Sequence, residues 1–424
     1  MPALIDKILF SSLPILMMRA SIIACKFALA IFIGHYLDLS SLGLYGLAAA
    51  TVSLGPVVIG MGMVHLIMRD AVTLSLGQVT IELRHYWCFT ASVYALVLTL
   101  AVLIRITFGA SELWSLVIAI MLFEHLGNDV FQLLSNLERP LLANVSAFLR
   151  GAAWILIYVP IAIWEPGFRS NAFLFGFWLG GTVSAFLLFV WASRSWPWKD
   201  AFSLPFKLAW ITTTIRKAFV IYVSDLSYFA SQYLDRYLVT WFLGLQLAGV
   251  YFLYWSAASA VTTFVSIAVL QIQRPRLIKA YHDGGASAHR QLAARFMKTT
   301  IAATAVFSAA VGGAFYIVLP FLKQPTSVAD HLAAFWLIIA GMAVRNVADF
   351  GAMALFTSRR DRMMTLTNLA AVIVLTLVQI LLLPFTGLYG AGAAILFTFS
   401  AMTLWRYKLV FSPASDGRQC NPSP

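Results

Sequence analysis

The chain has 424 residues, 61% of them hydrophobic and only 11% charged, with 32 Phe, 13 Trp and a mean hydropathy of +0.85. That balance excludes a soluble globular domain and points to an all-α polytopic membrane protein. The formal net charge of +12 reads as an insertion signal and a match to lipid headgroups, with no nucleic acid implied.

A helix needs roughly 20 mostly apolar residues to cross the hydrocarbon core, and twelve such stretches are predicted. The first, 11–34, carries Arg19 and Lys26 on one stripe, roughly 10 Å apart along the axis. A charge near the bilayer centre costs at least ~2.5 kcal/mol, so a bundle that keeps it normally points it at a partner or a watered cavity. Snorkelling to an interface is the open alternative. Two cations and no small-residue cleavage pattern make this run a retained helix and not a signal peptide. The second span, 42–67, holds Gly55, Pro56, Gly60 and Gly62, a hinge or a packing kink. Spans 87–108 and 113–135 follow. The latter sets Glu124, Asn128 and Gln132 on one stripe with His125 and Asp129 beside it, either an ion-coupling group or a satisfied interhelical hydrogen-bond group. Spans 143–164 and 171–193 close the first half, and the basic stretch 194–217, broken by Pro197 and Pro205, is the predicted linker. The expected lobes are 1–200 and 201–411, six spans each.

The seventh span, 217–243, brings Asp225, Tyr228, Gln232 and Arg236 within about a quarter of its circumference, with Asp235 at the edge. A local pair of Asp235 with Arg236 stays open. Spans 249–272, 297–320, 332–357, 364–384 and 387–410 complete the set. The tenth carries Arg345, Asn346 and Asp349, whose first and last members are spaced to neutralise one another. Residues 412–424, rich in Ser, Pro and Asp, read as a disordered tail. Long unbroken apolar runs exclude a transmembrane barrel, which would show short alternating strands.

With both termini in the cytoplasm, 22 of the 29 Lys and Arg residues fall on that side, Arg150 and Arg406 counted among them. Only Arg105, Arg169 and Lys323 fall outside, and this bias predicts the orientation. Cys25, Cys88 and Cys420 give no disulfide framework and no metal-ligand spacing. All outside loops are short, and no nucleotide-binding Gly-rich loop, zincin motif or nucleophile elbow occurs in a suitable context. The expectation is a non-enzyme without cofactor.

The halves share a weak ordered repeat. Gly34 precedes Gly43-Leu44-Tyr45 in the first, and Gly244 precedes Gly249-Val250-Tyr251 in the second. With Phe356 through Arg359, Arg360 and Arg362 to Asn368, and Gly387 to Ala394, these motifs resemble a Wzx-type O-antigen or polysaccharide flippase. Such flippases belong to the multidrug, oligosaccharidyl-lipid and polysaccharide (MOP) superfamily. The resemblance spans nearly the whole chain and departs from the lipid II flippase subgroup, which typically adds two spans. It implies two six-helix lobes around a central cleft, a monomer, and a bacterial inner membrane.

It further implies translocation of a polyprenyl-pyrophosphate-linked oligosaccharide to the periplasmic leaflet by ion-coupled alternating access. Arg19, Lys26, Arg345 and Arg236 are the pyrophosphate candidates, because guanidinium and ammonium groups suit phosphate. Glu124, His125, Asn128, Asp129, Asp225, Tyr228, Gln232, Asp235 and Asp349 are the polar-cavity candidates, with H+ or Na+ as the coupling ion. Implied partners are the lipid-linked glycan, membrane lipids, a polysaccharide polymerase and a chain-length regulator. The alternatives are a multidrug or cation antiporter, whose cargo would prefer an acidic cavity, and a membrane glycan polymerase.

Overall fold

Inside a bilayer the backbone has no water to pair with, so a spanning segment must satisfy its own hydrogen bonds. The computed structural model describes residues 2–412 apart from 72, 110, 112, 323 and 324, so Lys323 and the expected tail beyond Ser412 lie outside the described residues. Every regular element among the described residues is a helix. In chain order these begin with α1 (Pro2–Tyr36), α2 (Leu39–Gly60), α3 (Met63–Asp70), α4 (Leu76–Phe108) and α5 (Leu113–Asn136). Next come α6 (Pro140–Phe148), a π turn (Leu149–Ala153), α7 (Trp154–Trp164), α8 (Asn171–Ala192) and the short α9 (Trp198–Ser203). The chain ends with α10 (Leu208–Val265), a second π turn (Ser266–Leu270), α11 (Gln271–Val318), α12 (Pro325–Ala329), α13 (Leu332–Thr357), α14 (Asp361–Thr386) and α15 (Leu388–Phe411).

Ten stretches of the described residues are long and apolar enough to cross a membrane, and the protein is a multi-pass membrane protein. The longest, Leu208–Phe321, has 114 residues, several times the length of one crossing. Non-helical Gly244 and Gly285 divide it into three segments, and the expected spans 217–243, 249–272 and 297–320 fall one on each.

Two other spans differ from expectation. The stretch 42–67 is two helices, because Met61 and Gly62 both take positive φ, 48° and 71°, and end the α2 hydrogen-bond ladder. Gly62 also packs against the Tyr222 backbone, where a Cβ would stand 3.1 Å from Tyr222 N. The stretch 143–164 begins at Pro140 and swells into a π turn at Leu149–Ala153. Such bulges insert one residue into a helix and re-aim the side chains around it.

Contacts divide the chain into two compact units, one of residues 1–37 and 47–229, the other of 38–46 and 230–424. The boundaries of these units fall just before α2, within α2 and within α10. In the first unit, Met63, Ile67, Leu83, Tyr86, Val130, Leu133, Phe189 and Trp196 form a core in which the linker packs with α3, α4, α5 and α8. In the second, Ala348, Leu375, Ile395 and Phe399 join α13, α14 and α15, and Leu277, Ala293, Phe350 and Leu355 join α11 to α13. The two motif glycines meet in this unit. A Cβ on Gly43 would collide with the Leu245 carbonyl oxygen, and one on Gly249 with that of Leu39.

Candidate functional site

The cationic stripe of α1 begins at its buried end. Leu29, Ala30 and Ile33 are buried, and they stand three, four and seven residues beyond Lys26, on the same side of the helix. Lys26 therefore continues the packed side of α1, yet it is exposed and has no hydrogen-bond or ion-pair partner among the described residues. Arg19, two turns earlier on the stripe, is half-buried, and its Nε donates to Asn144 Oδ1 at 3.0 Å. Asn144 is itself buried and tied to α6 by a 2.7 Å bond from Nδ2 to the Pro140 carbonyl. One edge of the guanidinium is thus fixed, while Nη1 and Nη2 have no partner among the described residues. A planar fork held at Nε and open at its outer nitrogens is suited to paired donation to phosphate oxygens.

A second cluster is buried between α4 and α5. The Tyr86 hydroxyl lies 2.7 Å from His125 Nε2, and the Tyr94 hydroxyl lies 3.1 Å from Nδ1 and 3.3 Å from the Met121 carbonyl. One neutral tautomer satisfies all three contacts: Nδ1–H donates to Tyr94, Tyr94 donates to Met121, and Tyr86 donates to Nε2. Asp129 Oδ2 sits 3.9 Å from Nε2 and accepts from Trp87 Nε1 at 3.1 Å. Two predicted hinge glycines admit this helix: a Cβ on Gly60 would stand 2.9 Å from the Tyr86 hydroxyl and 3.2 Å from His125 Nε2, and one on Gly55 would meet Met121 Sδ. Pro56 lies inside α2.

Glu124 belongs to a separate group on the same helix. Arg150 Nη1 donates to Glu124 Oε2 at 2.5 Å and Nη2 to Asn128 Oδ1 at 2.8 Å, while Trp178 Nε1 donates to Glu124 Oε1 at 3.1 Å. The π turn carries Arg150. Trp154 stacks on Trp178 at 6.1 Å beside it. The orientation count assigns Arg150 to a loop, and the structure corrects this: it is a charge within a span, neutralised by a carboxylate it was not matched with.

The seventh-span stripe divides. Asp225 pairs with His65 Nε2 at 2.6 Å, in the first unit. Tyr228 is exposed and Gln232 half-buried. Asp235 and Arg236 are buried in the second unit, where Asp235 accepts from the Tyr251 hydroxyl and from the Arg236 backbone N–H. Arg236 donates to the Gly46 carbonyl at 3.2 Å, and its guanidinium carbon lies 4.0 Å from the Trp255 ring centre, 4.9 Å from Tyr233 and 5.1 Å from Phe252. Arg345 donates to the Ser231 carbonyl and hydroxyl at 3.1 and 3.2 Å, faces Phe399 at 4.7 Å and stands 3.8 Å from Asp349. Arg406 approaches the same Asp349 at 3.9 Å and donates to Thr367, the Ala348 carbonyl and Asn368. Arg236 and Arg345 are each at least 95% buried, and Arg236 Nε is covered without a hydrogen-bond partner. Arg406, counted with a terminal basic segment, is likewise a buried structural cation.

No family model matches the sequence, and no curated protein matches it. Solved structures do. A multidrug resistance MATE family transporter of the MOP superfamily, in an inward-facing conformation, is similar with a TM-score of 0.74 at 12% identity, over 93% of this chain and 96% of that one. The lipid II flippase MurJ, in an inward closed conformation, is similar with a TM-score of 0.74 at 11% identity, over 94% of this chain and 87% of that one. A MOP superfamily transporter from Pyrococcus furiosus Vc1 (DSM3638) is similar with a TM-score of 0.55 at 12% identity, over 94% of each chain. The fold is that of the MOP superfamily transporters.

At these identities the shared property is the fold. Within it, this chain brings together Arg19 with Asn144, His125 with Asp129, and Arg345 with Asp349, as pairs or small groups. Sequence reasoning missed Asn144, His65, Tyr86, Trp87 and Tyr94, all polar partners contributed by neighbouring helices.

Proposed function

We propose that the protein is a flippase for a polyprenyl-pyrophosphate-linked oligosaccharide, an O-antigen or exopolysaccharide repeat unit, and that Arg19 and Lys26 receive the pyrophosphate. The observation that carries this reading is the cationic edge of α1: Lys26 exposed on the packed side of the helix, and Arg19 anchored through Nε with its outer nitrogens open. Moving such a lipid unaided is blocked by desolvation of both its charge and its sugars. A site that replaces water around the diphosphate removes most of that cost, and the polyprenyl tail stays in the acyl phase. The two halves of the MOP fold then expose the site to the cytoplasmic and periplasmic leaflets in turn.

For coupling, the reading selects H+ over Na+. A hard cation asks for several oxygen ligands, whereas Asp129 is met by the Trp87 N–H and lies beside an imidazole. Loss or gain of a proton at this buried cluster changes its charge without any ligand cage. D129N is expected to abolish acceleration of glycolipid translocation by an imposed pH gradient in proteoliposomes, while leaving slow gradient-independent flipping. Acceleration equal to wild type would remove Asp129 from the coupling role.

The cationic site is tested in cells that depend on this protein for surface glycan. R19Q and K26Q, each expressed at the wild-type level, are expected to lose most of that glycan. Wild-type surface glycan in both variants would defeat the assignment.

A further inference from the structure

Outside the regions considered so far, one arginine is buried without an acceptor. Arg84, near the start of α4, has a relative exposure of 7%, and its Nε and Nη1 are covered with no hydrogen-bond partner. No ion pair involves it among the described residues. Its roof is the linker. The guanidinium carbon lies 5.9 Å from the Phe202 ring centre and 6.0 Å from that of Phe206, at the edge of the range where a ring attracts a cation. Two marginal ring contacts do not replace hydrogen-bond acceptors for a guanidinium. The site is held firmly, because His85 stacks on Phe206 at 5.3 Å, and Trp87 stacks on Trp198 at 6.0 Å.

The linker around this arginine has the composition of a segment lying in a membrane interface. Phe202, Leu204, Phe206 and Leu208 are exposed apolar side chains, and Lys199 and Lys207 are exposed beside them. Apolar groups dip into the acyl boundary while cations meet headgroups in such segments. We propose that Arg84, beneath Phe202 and Phe206, binds the phosphate of an anionic phospholipid whose chains cover the exposed apolar face of the linker. The lipid supplies what each part lacks: oxygen acceptors for Nε and Nη1, reached when Phe202 and Phe206 turn aside, and hydrocarbon for the linker side chains. The site is independent of the cargo reading, since Arg19 and Lys26 take no part in it.

The test uses the full-length protein in detergent, stripped of lipid, with thermal midpoint followed during titration. The probes are short-chain phosphatidylglycerol, phosphatidylcholine of the same chain length, and inorganic phosphate. Phosphatidylglycerol is expected to raise the wild-type midpoint saturably, with the other two ineffective at the same concentration. In R84Q its apparent affinity should fall about tenfold or more, the consequence of losing a hydrogen bond between charged groups. R84K keeps the charge without the planar fork and should also bind more weakly, which covers failure of R84Q to fold. Wild-type affinity in whichever variant folds overturns the proposal. So does an equal response to inorganic phosphate or to phosphatidylcholine.

Discussion

Arg150 shows how a single residue reshapes the account of the site. It donates three charge-assisted hydrogen bonds, to the carboxylate and backbone carbonyl of Glu124 and to Asn128, and its Nε is buried without a partner. Removing one member of such a pair strands the other in a low-dielectric setting, at a cost of about 3–5 kcal/mol. R150Q is therefore expected to lower the thermal midpoint in detergent more than the double variant R150Q/E124Q does. A double variant as unstable as the sum of the two single variants would show that the pair is not coupled. The sequence contained the clue, since Arg150 lies inside the predicted span 143–164. It reads as a loop charge because nothing in a linear sequence links it to a carboxylate on another helix. Tyr86 and Tyr94 were hidden for the same reason: their partner His125 is 39 and 31 residues away, and an aromatic residue in an apolar run reads as packing.

At the scale of elements, the motif glycines are explained by contact. Gly43 and Gly249 let α2 and the segment after Gly244 approach backbone to backbone, and Tyr45 meets Phe252 at 5.7 Å just beyond the crossing. The obstacles to a Cβ are carbonyl oxygens, which cannot rotate away as a flexible side chain would. G43A and G249A are each expected to destabilise the protein by about 1–3 kcal/mol or more, read as a lower thermal midpoint at unchanged composition of the detergent. Midpoints equal to wild type would show that the helices separate freely at this crossing. The repeat was legible in sequence as a pattern, but its meaning as a crossing point was not, because register between helices is a three-dimensional property.

At the scale of the molecule, hydropathy alone marked the chain as a set of apolar membrane helices, since continuous apolar runs leave the backbone no alternative to helix. It did not show the break at Met61 and Gly62, where the span's glycines and not its hydropathy carry the cue, because an apolar run looks the same whether one helix or two carry it. Nor did it separate working charges from structural ones. Six ionisable residues of the interior, Glu124, Arg150, Asp235, Arg236, Arg345 and Arg406, are held by partners within their own unit. Lys26 and the outer nitrogens of Arg19 are not, and the flippase reading rests on that difference.

The most direct measurement is of cargo charge. Purified protein in lipid nanodiscs would be titrated with a fluorescent polyprenyl-pyrophosphate oligosaccharide and, separately, with a lipophilic cation. The account predicts saturable binding of the pyrophosphate lipid, weakened in R19Q and in K26Q and by added salt, with no saturable binding of the cation. Saturable binding of the cation, with none of the pyrophosphate lipid, would contradict it.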